Sequence, residues 1–270
     1  KYLTIGTAKP NPDEMSKVKH HLVDCLTPDA EYNASRFEAD SLNLIKEIFS
    51  RGKTPVVAGG SGLYIRALAD GIFNSVDNDE ELRKELLKKR AELGDEYLYE
   101  ELKKVDPESA SKMLPQNWKR VIRALEVFTL TGEPIWKLQG EYKREVDYSF
   151  IQFGLNWKRD ILYSRIERRV DDMIDAGLVE ETRGVLGMGY SKELNSLNTV
   201  GYKEIIAYLN NEITIERAVE LIKRNTRRFA KRQMTWFRKD ERINWIDINS
   251  PEELSAVPHK RSEEHTSELQ

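Results

Sequence analysis

The stretch Lys53–Leu68, KTPVVAGGSGLYIRAL, limits the possible folds more than any other part of the chain. Pro55 and Gly59 bound a short β-branched apolar run, the pattern of a buried parallel strand, and Leu63–Leu68 reads as the helix that follows it. Glycines between the two let backbone N–H groups approach a ligand closely, and the helix N-terminus adds partial positive charge, so the turn favours an anion. Ser61 carries the hydroxyl at its tip. An ordinary strand-to-helix turn would look the same. The loop has neither a Walker A lysine nor G-x-G-x-x-G spacing, so both readings stand at this point.

The flanking sequence extends the pattern. Asn33 caps a predicted helix with Phe37, Leu44, Ile45 and Ile48 on one face, and Gly52 falls where a C-terminal glycine belongs. Helix, glycine stop, strand, glycine turn and helix is the punctuation of an α/β unit with a parallel sheet. Further upstream, Gly6–Pro10 (GTAKP) is a turn, and Asn11-Pro12-Asp13-Glu14 has the cap, proline and acids of a helix start. His20–Asp24 (HHLVD) reads as a strand. Adjacent histidines on a strand face opposite sides, so no metal site is assigned to them.

After Asp77 the spacing of Leu82, Leu86, Leu93, Leu98, Leu102 and Val105 is helical, and no strand pattern returns before Tyr148. A helical lobe is expected there. Inside it, PQNWKRVIRALEV places Lys119, Arg120 and Arg123 on one side of a helix start and Val121, Leu125 and Phe128 on the other. Cations at a helix N-terminus oppose the macrodipole, so an anionic partner accounts for them better than local stability does; a solvated basic face is the alternative.

Tyr148–Leu155 reads as a strand. Asp160 then opens a helix with Leu162, Ile166, Val170 and Met173 inward and Arg165, Arg168 and Arg169 outward, with Asp171 and Asp172 as weak neutralising partners. Gly177 closes it. Thr199–Glu204 begins a short helix, and Thr214 caps a long one with a seam of Val219, Ile222, Thr226, Phe229, Gln233 and Trp236. Arg224, Arg228, Lys231 and Arg238 cover one flank of that helix, Lys223 and Arg227 another. Arg217–Arg242 holds ten Lys/Arg against three acids, net +7, in a chain whose net charge is −3. A polyanion would therefore meet one face rather than the average charge, and such a helix points to a nucleic acid or a pyrophosphate.

Composition excludes two classes. No apolar run approaches the roughly 18 residues of a membrane span, and a single cysteine, Cys25, rules out a disulfide framework and reads as a buried thiol of a cytoplasmic protein. A length of 270 residues allows one core with a smaller second lobe. Arg261–Gln270 (RSEEHTSELQ) has no apolar anchor, resembles adapter read-through, and is set aside as a non-native tail.

Taken in order, GTAKP, HHLVD, YNASRF, AGGSGLYIRAL, PQNWKRVIRALEVFTLTG, RIERRVDDMIDAGLVEE, TVGYKEIIAYL and RNTRRFAKRQMTWFR resemble the tRNA dimethylallyltransferases, the bacterial tRNA isopentenyltransferase family, from about Tyr2 to Ile248. The resemblance implies an α/β fold: a P-loop-type three-layer core with a parallel sheet, over 1–76 and 146–250, and a helical tRNA-binding insertion over 77–145. It implies transfer of a dimethylallyl group from dimethylallyl diphosphate to N6 of the adenosine 3′ of the anticodon, with Mg²⁺ assisting the leaving pyrophosphate, in a monomeric cytoplasmic enzyme. By position, Ser61 stands where many members have Thr and Arg165 where an arginine serves the diphosphate. Gln116, Asn117, Trp118, Lys119 and Arg120 match tRNA-contacting positions. So do Thr199, Val200, Gly201 and Tyr202, and on the long helix Arg224, Arg227, Arg228, Lys231 and Arg232, whereas Asp24 and Tyr64 match structural positions. The partners implied are the tRNA anticodon stem-loop and dimethylallyl diphosphate.

One departure stands out. The family's P-loop and its general-base Asp precede GTAKP, and no G-x-x-x-x-G-K-[ST] occurs in these 270 residues. The sequence is therefore expected to be an N-terminally truncated fragment without transferase activity of its own. A P-loop kinase of a small molecule, an isopentenyltransferase of free adenine nucleotides and a non-catalytic RNA-binding protein remain as alternatives.

Overall fold

The computed structural model describes residues 1–73, 79–142, 144 and 146–254. Asp77, residue 145 and the tail 261–270 lie outside the described residues. The elements run α1 (Pro12–Lys17), α2 (Ala34–Ser50), α3 (Gly62–Asp70), α4 (Glu80–Val105), α5 (Pro107–Ser111), α6 (Trp118–Thr131) and α7 (Ile135–Glu141). They continue with β1 (Gln152–Trp157), α8 (Arg159–Asp175), α9 (Leu178–Gly187), α10 (Tyr202–Leu209), α11 (Ile215–Phe237) and β2 (Ile243–Ile248). The architecture is mixed and helix-rich with a small parallel sheet. It divides into two compact units, one of Lys1–Tyr32, Gly60–Gly62 and the chain from Ser149 onward, the other of Asn33–Gly59 and Leu63–Tyr148.

In the first unit β1 and β2 pair in parallel, Gln152 opposite Ile243 through Trp157 opposite Ile248. Gly154 gives the Trp245 ring room, since a Cβ there would stand 2.7 Å from it. Helices α8–α11 pack around Leu3, Val170, Leu178, Val185, Leu197, Tyr202, Ile205 and Ile222. Local chemistry ends these helices where the sequence indicates. Thr214 accepts from the Arg217 N–H at the start of α11, and Gly177, at φ 97°, makes the left-handed turn between α8 and α9.

The second unit is built on the α4–α6 pair, with Leu86, Leu98, Leu102, Val121, Ile122, Leu125 and Val127 inside. Gly94 (φ 88°, ψ 172°) kinks α4 between its two leucine runs. Glu126 is fully buried, with Arg83 at 3.0 Å and Arg123 at 3.6 Å. At the other end Phe37 stacks on Tyr64, and the Arg144 guanidinium pairs with Glu38 while donating to the carbonyls of Ala67, Leu68 and Ala69 at the end of α3.

Four readings of the sequence change. Pro55–Ala58 is no strand: Val56 is 86% and Val57 48% exposed, and the described sheet consists of β1 and β2. A β-branched run becomes a strand only with a neighbour for its N–H and C=O groups. His20–Asp24 is likewise no strand, because Leu22 (φ 60°) and Asp24 (φ 54°) take left-handed conformations and Asp24 turns to Lys9. Cys25 is exposed. Asp171 pairs with Lys223 of α11 at 2.6 Å rather than with the arginines of its own helix.

Candidate functional site

In the first unit the Gly60–Gly62 turn is fastened to α11. The Gly60 carbonyl accepts from Gln233 Nε2 at 2.7 Å, and a Cβ on Gly62 would come within 2.3 Å of the Trp236 indole. Both glycines have negative φ, so they are needed for close approach and not for turn geometry. Ser61, between them, is exposed.

α11 supplies the charge. Four of its neighbourhood's cations are neutralised: Arg217 by Glu220, Lys223 by Asp171, Arg227 by Glu167 at 2.5 Å, and Arg242 by Asp240. Among the described residues Arg224, Arg228, Lys231, Arg232, Arg238 and Lys239 have no carboxylate partner, and the Arg224 Nε is buried without a hydrogen bond. Spacings of three and four residues place Arg224, Arg228, Lys231 and Arg232 along one flank of the helix, and Arg238 and Lys239 follow at its C-terminal end. Phe229 and Trp236 are exposed on the same helix, with the Arg232 guanidinium 5.8 Å from the Phe229 ring. On α8, Arg165 is exposed and lies 4.4 Å over the Trp157 ring.

The Thr199–Tyr202 turn divides into an outer and an inner part. Thr199 is exposed. Gly201 (φ 105°) is buried, with its N–H donated to Glu204 at 2.8 Å, and Glu204 also accepts from Asn225 of α11 at 2.8 Å. Tyr202 is 1% exposed and donates its hydroxyl to Glu181 at 2.6 Å. The same carboxylate collects the N–H groups of Thr4, Ile5 and Gly6 at 2.8, 2.9 and 3.2 Å. Burial, reinforced by Glu181, pushes the Tyr202 phenol well above its ordinary pKa. Tyr202 thus faces inward and joins the GTAKP turn to the head of α10.

In the second unit Gln116, Asn117, Lys119 and Arg120 are exposed at the start of α6, whose first turn has no acid. The Asn117 side chain accepts from the Leu114 N–H and, although the residue stands at the N-cap, makes no cap hydrogen bond to the helix. The Trp118 ring is faced by Arg90 at 3.9 Å and Lys119 at 5.3 Å. Arg123 is drawn toward Glu126, which leaves Lys119 and Arg120 as the outward pair.

A family profile described as IPP transferase matches residues 1–240. The chain belongs to that family. Among its relatives, the tRNA dimethylallyltransferase of Acetivibrio thermocellus is 47% identical over 249 residues, covering 92% of this chain and 80% of that protein. That of Thermotoga maritima is 46% identical over 261 residues, covering 96% and 84%. The full-length tRNA isopentenylpyrophosphate transferase of Bacillus halodurans matches with a TM-score of 0.68 and 35% identity over 100% of this chain and 86% of that one. A eukaryotic dimethylallyltransferase acting on tRNA matches at 0.77 and 25% identity over 96% and 67%.

The sequence reading missed three side chains that organise the site: Gln233, Glu181 and Glu204. Glu204 was detectable, since a glutamate three residues after a helix N-cap commonly reaches back to the cap N–H. Glu181 and Gln233 act on backbone 176 and 173 residues away. No local spacing marks such contacts. Among the described residues no three His, Cys, Asp or Glu side chains gather as a metal-binding set. Among them, too, no helix is long and apolar enough to cross a membrane.

Proposed function

We propose that this chain is a tRNA dimethylallyltransferase that moves the dimethylallyl group of dimethylallyl diphosphate to N6 of the adenosine next to the anticodon on its 3′ side. The observation that carries this reading is the flank of α11 with Arg224, Arg228, Lys231 and Arg232, continued past its end by Arg238 and Lys239, cations that lack carboxylate partners among the described residues and lie beside the exposed Phe229 and Trp236. A merely solvated helix would find nearby carboxylates for them, as Glu220, Asp171 and Glu167 serve Arg217, Lys223 and Arg227. Phosphates of an RNA stem supply the missing charge. The names of the relatives agree with an RNA substrate.

In the reaction a C–N bond forms between N6 and the prenyl carbon that bears the diphosphate, the C–O bond at that carbon breaks, the diphosphate leaves with the electron pair, and the N6 proton passes to the released diphosphate or to solvent. Ser61 offers its hydroxyl to the reacting nucleotide or the diphosphate, and Arg165 stabilises charge developing on the leaving group. Lys119 and Arg120 of α6 and the α11 cations hold the stem-loop by its phosphates. The adenosine leaves its stack to react. Within the Thr199–Tyr202 turn, Thr199 is the residue open to RNA, and Tyr202 shapes the turn from behind.

The test is incubation of the full-length protein with labelled dimethylallyl diphosphate and either an anticodon stem-loop or an adenine nucleotide. Label is expected on the stem-loop, at the adenosine beside the anticodon. Label on the free nucleotide alone would favour the small-molecule transferase and overturn the tRNA reading.

A further inference from the structure

Ser61 makes no hydrogen bond of its own among the described residues, so the location of its hydroxyl depends on what holds the turn around it. The hold comes from α11. Gly60 carries no Cβ, and a methyl there would stand 2.2 Å from Gln233 Nε2; Gly62 carries none, and a methyl there would meet the Trp236 indole. Gly59, where a Cβ would meet nothing within 4 Å, lacks such a constraint. The two glycines that flank Ser61 are thus the ones pressed against α11 side chains. In a trans peptide the C=O and the following N–H point in opposite directions. With the Gly60 carbonyl directed to Gln233, the Ser61 N–H points away from the Gln233 amide.

We propose that Gln233 is a positioning residue for the transfer reaction: its amide fixes the Gly60–Ser61 peptide on α11 and so sets where the Ser61 hydroxyl and N–H are presented. The proposal rests on the reading of Ser61 as a group that touches the reacting nucleotide or diphosphate. It also explains why the turn and the cationic flank belong to one design. Gln233 directly follows Arg232 and lies between the exposed Phe229 and Trp236, so the helix that receives the RNA backbone also locates the reacting turn. A displaced turn costs rate without costing affinity, since the phosphates are held by other side chains.

The experiment compares Gln233→Leu, which keeps volume and loses the donor, with Gln233→Lys, which restores a donor of similar reach, each alone and combined with Ser61→Ala in the full-length protein. Gln233→Leu is expected to lower kcat at least 10-fold with KM for tRNA within 2-fold and an unchanged melting temperature, the order expected when one oriented hydrogen bond to the transition state is removed. Gln233→Lys should recover much of that loss. Adding Ser61→Ala to Gln233→Leu should lower kcat little further, because both act through the same group. The amide ¹H–¹⁵N resonance of Ser61 should shift in Gln233→Leu. An unmoved Ser61 resonance, or losses from the two substitutions that multiply, would overturn the positioning role. A Ser61→Ala variant with unchanged kcat would instead remove the reading of Ser61 itself, whatever the resonance does.

Discussion

The Tyr202 hydroxyl donates to the Glu181 carboxylate at 2.6 Å, and the ring packs so closely on Gly6 that a Cβ there would stand 2.5 Å from it. This pair joins three segments far apart in sequence: the GTAKP turn, α9 and the head of α10. Tyr202→Phe keeps the ring and removes the donor, and should cost about 1.5–3 kcal/mol, the range for a hydrogen bond to a charged group. Denaturant unfolding measures it. Burial and Glu181 raise the phenol's pKa above its ordinary 10.0, so the stabilisation is fully present below pH 10 and is lost as pH rises through the higher folded-state value. The alkaline decline in stability that begins near pH 10 should be shallower in Tyr202→Phe.

Caps and stops were legible in the sequence because their chemistry is local. Asn11 and Asn33 accept from N–H groups three residues on, Gly52 takes φ 65° after α2, and the strand pattern at Tyr148–Leu155 appears as β1, a few residues later. Val56 and Val57 misled because β-propensity describes a residue suited to a half-buried pleated surface and says nothing of whether a partner strand lies alongside. The candidate site was legible in its charges. Its supports were not: Glu181 and Gln233 bind backbone carbonyl or N–H groups, which every residue possesses, so nothing in the partner's identity announces the contact. Tyr202 illustrates the difference, matching a site motif by position while its side chain serves the interior.

Buried Glu126 is a test of the second unit. Its carboxylate accepts from Arg83 at 3.0 Å and pairs with Arg123 of its own helix at 3.6 Å. Glu126→Gln removes the charge and keeps the shape, and should lower stability by about 1–3 kcal/mol through the incompletely satisfied guanidinium groups. Urea unfolding reads the change, with Glu133→Gln, at an exposed i,i+4 pair with Lys137, as the near-neutral control.

Gly62→Ala should disturb the candidate site from the backbone side. The added methyl would meet the Trp236 ring at 2.3 Å, and overpacking of this kind typically costs about 1–3 kcal/mol. Because the strain falls beside Ser61, turnover should drop by more than tRNA affinity does. Single-turnover rates and filter binding on the same preparation separate the two.

Lys119 and Arg120 stand on α6 without carboxylate partners among the described residues, in a first turn that lacks acids. The double variant Lys119→Ala, Arg120→Ala should weaken stem-loop binding and reduce its log–log salt slope by about 2, one for each phosphate no longer neutralised. Affinity for dimethylallyl diphosphate should stay within error. An unchanged slope would make this pair a solvated face.

The central claim is that the unneutralised flank of α11 receives RNA phosphates. It is tested most directly by a salt titration of anticodon stem-loop binding to the full-length protein, to Arg228→Ala, Lys231→Ala, Arg232→Ala, and to Arg217→Ala, whose guanidinium already pairs with Glu220. The triple variant should bind more weakly with a slope shallower by about 3, and Arg217→Ala should retain the parent slope. Equal slopes for all three proteins would contradict the account.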